Sequence, residues 1–280
     1  MIKIENLDFQ YSRKRQVYKN LNLNIEEGAI YALLGLNGAG KTTLLNLIAG
    51  FLIPQSGSCT VFEREASQRK PEMLQEVFMV GDTSEFPNMS VMKFCELYAD
   101  FYPKFEHELF NQCISEFGMS VNSSLKQLSY GDKRKAILSF ALATRCKLLL
   151  FDEPTNGLDI PSKATFRNLI ASFLNESQTI IMATHQIRDL TNLMDRVIIE
   201  NKGEIILNES IDLIAEKLSF GLNADQINSK DLLFKADSFN PNETVSINRL
   251  GYPGQVDLEL LFTAAVTRPT ELIWIFNSKN

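Results

Sequence analysis

The stretch Gly35-Leu36-Asn37-Gly38-Ala39-Gly40-Lys41-Thr42 decides the fold, because it matches the pattern G-x-x-x-x-G-K-[ST]. It lies between an apolar, strand-like run at 29–34 and a helix-like segment at 42–49. Glycines allow successive backbone N–H groups to turn inward around an anion without a Cβ in the way. Lys41 adds a point charge and Thr42 offers a hydroxyl to Mg²⁺. The stretch therefore predicts a site for nucleotide phosphates.

Length and composition indicate a folded protein with one large core, or with one core and a small second unit. The net charge does not favour binding to nucleic acid. The chain has 280 residues, 45% hydrophobic and 22% charged, with a net charge of -6 and a pI near 5.2. We therefore expect no nucleic-acid partner, and we interpret Lys133-Arg134-Lys135 as a solvated helix face. The cysteines lack C-x-x-C spacing, which favours reduced thiols in the cytosol. The strand-like segment at 2–4 leads us to expect no signal peptide, and no apolar run approaches the roughly 20 residues that span a bilayer.

The hydrophobic pattern predicts a mostly parallel central sheet. Three near-continuous apolar runs, at 147–151, 179–183 and 196–200, are typical of strands buried on both faces. Alternating segments near the N-terminus predict an antiparallel β subdomain. Aromatic and apolar residues that recur at near-helical spacing over 92–105 predict a helical insertion at about 85–145. We favour a core of its own over a docking groove as the reason for this stripe. We assign 1–208 to one domain and 209–280 to a small C-terminal extension, which holds a helix at 211–218, two short strand candidates and a closing amphipathic stretch.

Polar residues follow two of the predicted buried strands. Asp152 and Glu153 end the run at 147–151, and Thr184-His185 ends the run at 179–183. The carboxyl ends of parallel strands face the ligand crevice, where Asp152 is suited to hold Mg²⁺ and Glu153 to accept a proton from water. Between these segments, Ser129 is a good N-cap for a helix whose N-terminus could also bind an anion.

These segments, in this order, resemble the nucleotide-binding subunits of ABC transporters over about residues 2–208. GLNGAGKTT is similar to the family's Walker A loop, LSYGD to its signature motif and LLLFDEP to its Walker B strand. Asn156-Gly157-Leu158-Asp159 resembles the D-loop, and His185 the switch histidine. Tyr11 lies where the family places an aromatic ring that stacks on adenine.

The resemblance implies a P-loop NTPase that binds ATP and Mg²⁺ and hydrolyses ATP as a head-to-tail homodimer. Ser129 and Gly131 would contact the γ-phosphate held by the other copy, Glu153 would activate water, and His185 would hold water and phosphate in register. The implied metal ligands are Thr42, Asp152 and Asp82. The implied nucleotide-binding residues are Tyr11, Gly35, Leu36, Asn37, Gly38, Ala39, Gly40, Lys41, Thr42, Thr43, Ser129 and Gly131.

The same resemblance implies membrane-spanning partner subunits on separate chains. The protein would then be cytoplasmic and attached to the inner face of the cell membrane through that partner. An undivided ATPase unit is similar to the separate subunits of bacterial export systems, which favours export over import. The transported substrate is not encoded in these motifs.

Two departures from the family pattern bear on the site. Tyr130 and Asp132 replace the third and fifth residues of the family's Leu-Ser-Gly-Gly-Gln signature. The glutamine expected after the strand at 77–80 is missing, and Asp82 is the nearest polar candidate to take its place at Mg²⁺.

Two other classes of protein stay open at this point. One is a soluble ABC ATPase that acts as a regulatory or translation-associated binding module; translation-type relatives usually carry two ATPase units joined by a charged linker. The other is an unrelated P-loop kinase or GTPase, against which the Asp-Glu pair, the LSYGD segment and the Thr-His pair argue.

Overall fold

A computed structural model describes residues 1–12, 15–81, 87–185, 191–236, 240, 242–249, 251 and 253–277. The strands are β1 Ile2–Ser12, β2 Arg15–Ile25, β3 Ile30–Gly35, β4 Ser56–Val61, β5 Arg64–Glu65, β6 Val77–Val80, β7 Leu148–Asp152, β8 Thr179–Ala183, β9 Arg196–Asn201, β10 Glu204–Ser210, β11 Leu218–Phe220, β12 Leu232–Lys235 and β13 Thr244–Ile247. The helices are α1 Lys41–Ile48, α2 Pro71–Leu74, α3 Val91–Tyr98, α4 His107–Glu116, α5 Tyr130–Ala143, α6 Ile160–Phe173, α7 Ile211–Lys217, α8 Leu258–Thr267 and α9 Pro269–Asn277.

The central sheet has the order β10-β9-β3-β8-β7-β6. Its strands from β9 to β6 are parallel, and only β10 joins antiparallel, through the hairpin that the sequence predicted after 200. Every residue of β3, β7 and β8 is buried, as expected of strands covered on both faces. Because these three strands are adjacent and parallel, their carboxyl ends lie at one edge. The α/β class with a mostly parallel sheet is therefore confirmed.

A second, antiparallel sheet with the order β2-β1-β4-β5 shares a hydrophobic core with strands β3, β7, β8 and β9 of the central sheet. Inward residues of β1 and β2, such as Ile4, Leu23 and Ile25, share a core with α1. The antiparallel N-terminal subdomain predicted from the alternating pattern is present. It brings β1 and β2 alongside the loop between β3 and α1.

Helices α3 to α5 form the helical region predicted between β6 and β7, and they enclose a small core of their own. Phe94 and Phe105 pack against this core, as the aromatic pattern predicted. Leu97, Tyr98 and Phe101 do not, because they remain exposed at the end of α3 and in the turn after it. The prediction of a private core for the whole stripe was therefore only half right.

The prediction of a solvated face at 133–135 was wrong. Arg134 is only 1% exposed, although it carries a charge that usually stays in water. It lies on the side of α5 that faces β7, where main-chain carbonyl groups accept its hydrogen bonds. Lys135 is also largely covered, because its ammonium is paired with Asp132 one turn earlier.

The last part of the chain packs on the central sheet. Strands β11, β13 and β12 form a three-stranded antiparallel sheet, and Leu258, Leu261 and Leu272 of α8 and α9 join the core that contains Ile199. The helix predicted at 211–218 ends one residue earlier, where β11 begins. Within the described ranges, no helix has the length and apolarity needed to cross a membrane.

Candidate functional site

The glycine-rich loop lies between the last residue of β3 and the first turn of α1. Gly38 and Gly40 have φ angles of 80° and 140°, which side chains with a Cβ rarely adopt. A Cβ on Gly40 would also overlap the Glu200 carboxylate and the Tyr18 hydroxyl behind the loop. The Nζ atom of Lys41 donates to the carbonyl of Gly35 at 2.7 Å. The loop is therefore closed on itself at the N-terminus of a helix, where an anion is favoured.

This loop forms one wall of a cavity of about 860 Å³, whose size suits a nucleotide. Thirteen of the residues singled out from the sequence line it: Tyr11, Leu36, Asn37, Gly38, Ala39, Gly40, Lys41, Thr42, Thr43, Asp152, Glu153, Asn156 and His185. Gly35 is the last residue of β3 and does not line this cavity. The cavity thus gathers residues from the loop, from β1 and from the carboxyl ends of β7 and β8.

Two oxygen groups suited to a hard cation meet at the loop. The Thr42 hydroxyl donates to Oδ2 of Asp152 over 2.6 Å, and the Asp152 side chain is almost fully buried. Mg²⁺ in phosphate sites is held by one or two protein oxygens and by the phosphates themselves. The pair fits such an ion.

Glu153 is held from several sides. Its carboxylate accepts hydrogen bonds from the Thr184 hydroxyl at 3.1 Å and from the backbone N–H of His185 at 3.2 Å. Nδ1 of His185 lies 2.7 Å from Oε1 of Glu153. The backbone of Glu153 has a φ of 48°, an uncommon, left-handed conformation for a residue with a side chain. A carboxylate and an imidazole are therefore coupled at the cavity wall, where a water molecule could lose a proton.

The ring of Tyr11 reaches the cavity from β1. Its hydroxyl is 3.1 Å from the Thr43 hydroxyl, and the ring packs edge-on against Phe9. The Arg15 guanidinium lies 5.3 Å from the ring centroid. Half of the Tyr11 surface is exposed. Arg15 was not predicted from the sequence, where its only signal is a basic residue four positions after the aromatic one.

Ser129 and Gly131 are not among the described residues that line this cavity. Ser129 is the N-cap of α5, as predicted, because its hydroxyl oxygen accepts from the N–H of Asp132. The same hydroxyl donates to Oδ2 of Asp132 at 2.8 Å. This hydrogen bond, followed by the one from Lys135, lowers the pKa of Asp132. Gly131 packs against the main chain at Gly157, where a Cβ would come within 2.6 Å of the Gly157 carbonyl oxygen.

Asp82, proposed as a metal ligand, lies outside the described residues. Two further groups near the site were not singled out from the sequence. Glu200 is fully buried behind the loop, where burial raises its pKa to about 7 although the Tyr18 hydroxyl and the Lys41 charge favour its ionised form. The sequence signal for a buried Glu200 was a lone carboxylate near the end of an apolar strand. The burial of Arg134 could not be predicted from the sequence, because its neighbours Lys133 and Lys135 are also basic.

Comparisons with known proteins agree with this geometry. The family described as "ABC transporter" matches residues 18–156. An uncharacterized ABC transporter ATP-binding protein, YdbJ of Bacillus subtilis (strain 168), is 33% identical over 209 residues, which cover 73% of this chain and 68% of YdbJ. The lantibiotic transport ATP-binding protein SrtF of Streptococcus pyogenes is 31% identical over 76% of this chain and 92% of SrtF. The fold resembles a dimeric bacterial ABC transporter cassette with a TM-score of 0.66 at 24% identity, over 75% of this chain and 98% of the cassette.

Proposed function

This chain belongs to the ABC transporter family as one of its ATP-binding ATPases, and from that premise we propose that two copies clasp ATP between them to power transport through membrane-spanning partners. One observation carries the proposal. The loop hydroxyl of Thr42 contacts Asp152, and the next residue, Glu153, is hydrogen-bonded to His185 within the same cavity. Phosphate, cation and proton-accepting groups therefore meet at one edge of the sheet.

Within one copy, different residues would bind the phosphates, the base and the metal ion and would activate water. Backbone N–H groups of the glycine loop and the Lys41 ammonium bind the phosphates, and the Tyr11 ring stacks on the base. Thr42 and Asp152 would hold Mg²⁺, which supplies charge neutralisation between the phosphate oxygens when bound. Glu153 accepts the proton of the attacking water, and His185, bonded to Glu153, keeps the carboxylate and the terminal phosphate aligned. In phosphoryl transfer such positioning accounts for most of the catalysis.

The second copy would supply Ser129 and Gly131 to the γ-phosphate. Their position away from the cavity of their own chain supports a contact in trans. The Ser129 hydroxyl has one hydrogen, which it donates in a hydrogen bond to Asp132 in the free subunit. When two copies close, the hydroxyl would have to donate this hydrogen bond to phosphate instead. Asp132 therefore opposes closure, and its pairing with Lys135 limits the repulsion of the incoming phosphate.

We propose that the membrane-spanning subunits are separate chains, that the complex exports its substrate, and that this protein lies at the cytoplasmic face of the cell membrane. The names of the relatives, which describe ATP-binding proteins of transporters, support a division of labour between chains. The exposed side chains Leu97, Tyr98 and Phe101 offer an apolar contact surface for such a partner. Residues 209–280 would act as an extension that stabilises the ATPase core, because Leu258, Leu261 and Leu272 are part of that core.

The decisive experiment is affinity purification of the tagged full-length chain from detergent-solubilised membranes, followed by identification of the proteins that accompany it. We expect a polytopic membrane protein, and a Leu97→Asp/Phe101→Asp double variant is expected to lose it while keeping ATP binding. Reconstitution with that partner in vesicles then gives the direction of transport. Recovery of ribosomes, or of no membrane protein, would contradict a role in transport.

A further inference from the structure

The guanidinium of Arg134 connects three separate segments of the site. Arg134 lies in the first turns of α5, the helix capped by Ser129, and is 1% exposed. Nη2 donates to the carbonyl oxygens of Asp152 and Glu153, each at 2.6 Å, and Nε donates to that of Pro154 at 3.3 Å. Nη1 donates to the carbonyl of Gly81, just after β6.

The acceptors lie where the main chain has an unusual conformation. Glu153 follows the last residue of β7 and has a φ of 48°. Such a conformation is unfavourable for a residue with a Cβ and persists only when its surroundings hold it. The N–H of Glu153 donates to the carbonyl of Ala183 at 2.8 Å, and its carbonyl accepts from Arg134. Both main-chain polar groups of Glu153 are thus engaged.

The left-handed conformation matters because it sets the direction of the Glu153 side chain. From this backbone the carboxylate reaches the Thr184 hydroxyl and both the N–H and Nδ1 of His185. A planar guanidinium with five donors in fixed directions suits carbonyl groups that must be held at set angles, whereas a lysine ammonium does not. We propose that Arg134 is a positioning residue that fixes the backbone of Glu153, and so aims the carboxylate at the water that it activates.

This inference rests on the role proposed for Glu153, and it adds that the helix carrying Ser129 also orients the catalytic carboxylate of its own chain. Arg134 contacts neither nucleotide nor water in this scheme. Its loss is therefore expected to lower the rate of the chemical step while leaving ATP affinity nearly intact.

The test compares Arg134→Met and Arg134→Lys with wild type in the full-length chain. Steady-state ATPase assays give kcat and KM, fluorescence titration with ATP in EDTA gives Kd, and thermal denaturation gives Tm. We expect Arg134→Met to lower kcat by about 100-fold, the typical effect of a misplacement of about 1 Å. We expect Arg134→Lys to restore part of this loss, to within about tenfold of wild type, because a point charge holds fewer of the carbonyls. The ATP Kd stays within about threefold, since the loop is untouched.

Arg145→Met is the matched control. Arg145 is another mostly buried arginine that donates to a main-chain carbonyl, that of Phe173, and it pairs with Glu106 away from the cavity. It is expected to lower Tm while keeping kcat near wild type. If Arg134→Met does not fold, Arg134→Lys decides the outcome alone.

The inference is overturned if folded Arg134 variants retain the kcat of wild type, or if kcat in all three arginine variants simply follows Tm. A different result would reject the proposed function instead: wild-type kcat in Glu153→Gln would remove Glu153 from its role, whatever the Arg134 variants do.

Discussion

Replacing Glu200 with glutamine is expected to stabilise the protein by an amount that grows as the pH rises from about 4.5 to about 7 and is largest above that range. Glu200 is fully buried at the end of β9, and neither of its carboxylate oxygens has a hydrogen-bond partner among the described residues. Burial raises its pKa from 4.5 to about 7, against weaker opposing effects of the Tyr18 hydroxyl and the Lys41 charge. The Tyr18 hydroxyl is also buried without a hydrogen-bond partner in the described part of the chain.

The sign and size follow from proton linkage. The folded protein keeps the Glu200 proton up to about pH 7, whereas the unfolded chain releases it near pH 4.5. Stability therefore falls as pH rises between these two values and stays reduced above them. At about 1.4 kcal/mol for each pH unit, the full cost is about 3 kcal/mol at pH 8. Glutamine has no proton to lose and retains a similar volume.

Urea denaturation of wild type and Glu200→Gln at pH 5 and pH 8 measures this cost. We expect a gain of about 3 kcal/mol in unfolding free energy at pH 8 and a gain below about 1 kcal/mol at pH 5. Glu204→Gln, at an exposed position of the neighbouring strand β10, serves as the control and should alter neither value. An equal effect of Glu200→Gln at both pH values, or a loss at pH 8, would refute the reasoning.

Four further outcomes are expected. Glu153→Gln lowers ATP turnover by roughly 10²–10⁴-fold but accumulates an ATP-bound dimer in light scattering, because only the general base is lost; a variant that turns over normally contradicts this. Tyr11→Ala weakens ATP binding by about 1–3 kcal/mol in calorimetry, whereas Tyr11→Trp retains it. Asp132→Gln releases the Ser129 hydroxyl, so that ATP-driven dimerisation in the Glu153→Gln background needs about fivefold less ATP, equivalent to about 1 kcal/mol; an unchanged midpoint argues against the competition. Truncation after residue 208 exposes the core under α8 and lowers Tm, whereas an unchanged Tm and ATPase rate would indicate a dispensable layer.

Local features of the chain predicted much of the site. The glycine loop needs glycine because its backbone adopts positive φ angles, and the Ser129 cap needs a short side chain that accepts a hydrogen bond from its own helix. Both requirements involve neighbours within a few residues, so they are readable from the sequence. The buried strands were predictable for a similar reason, since a strand covered on both faces must be apolar throughout.

Contacts between residues that are far apart in the chain could not be predicted from the sequence. Arg134 was assigned to the surface because arginine is usually solvated, yet four carbonyl groups brought together by the packing of α5 on β7 satisfy its charge. Glu200 and Tyr18 are far apart in the chain and meet only because β2 and β9 both pass behind Gly40. The sequence around each residue does not show which distant side chain it meets.

The sequence by itself thus determined the class of fold, the phosphate loop and the order of the polar strand ends, because these depend on backbone geometry and on hydrophobic period. Only the tertiary structure decided which charges are buried and what holds Glu153 in its left-handed conformation. It also decided which group accepts the hydrogen bond from the Ser129 hydroxyl in the free subunit. These properties depend on the dielectric and the partners that folding assembles around a group, and a linear pattern does not contain that information.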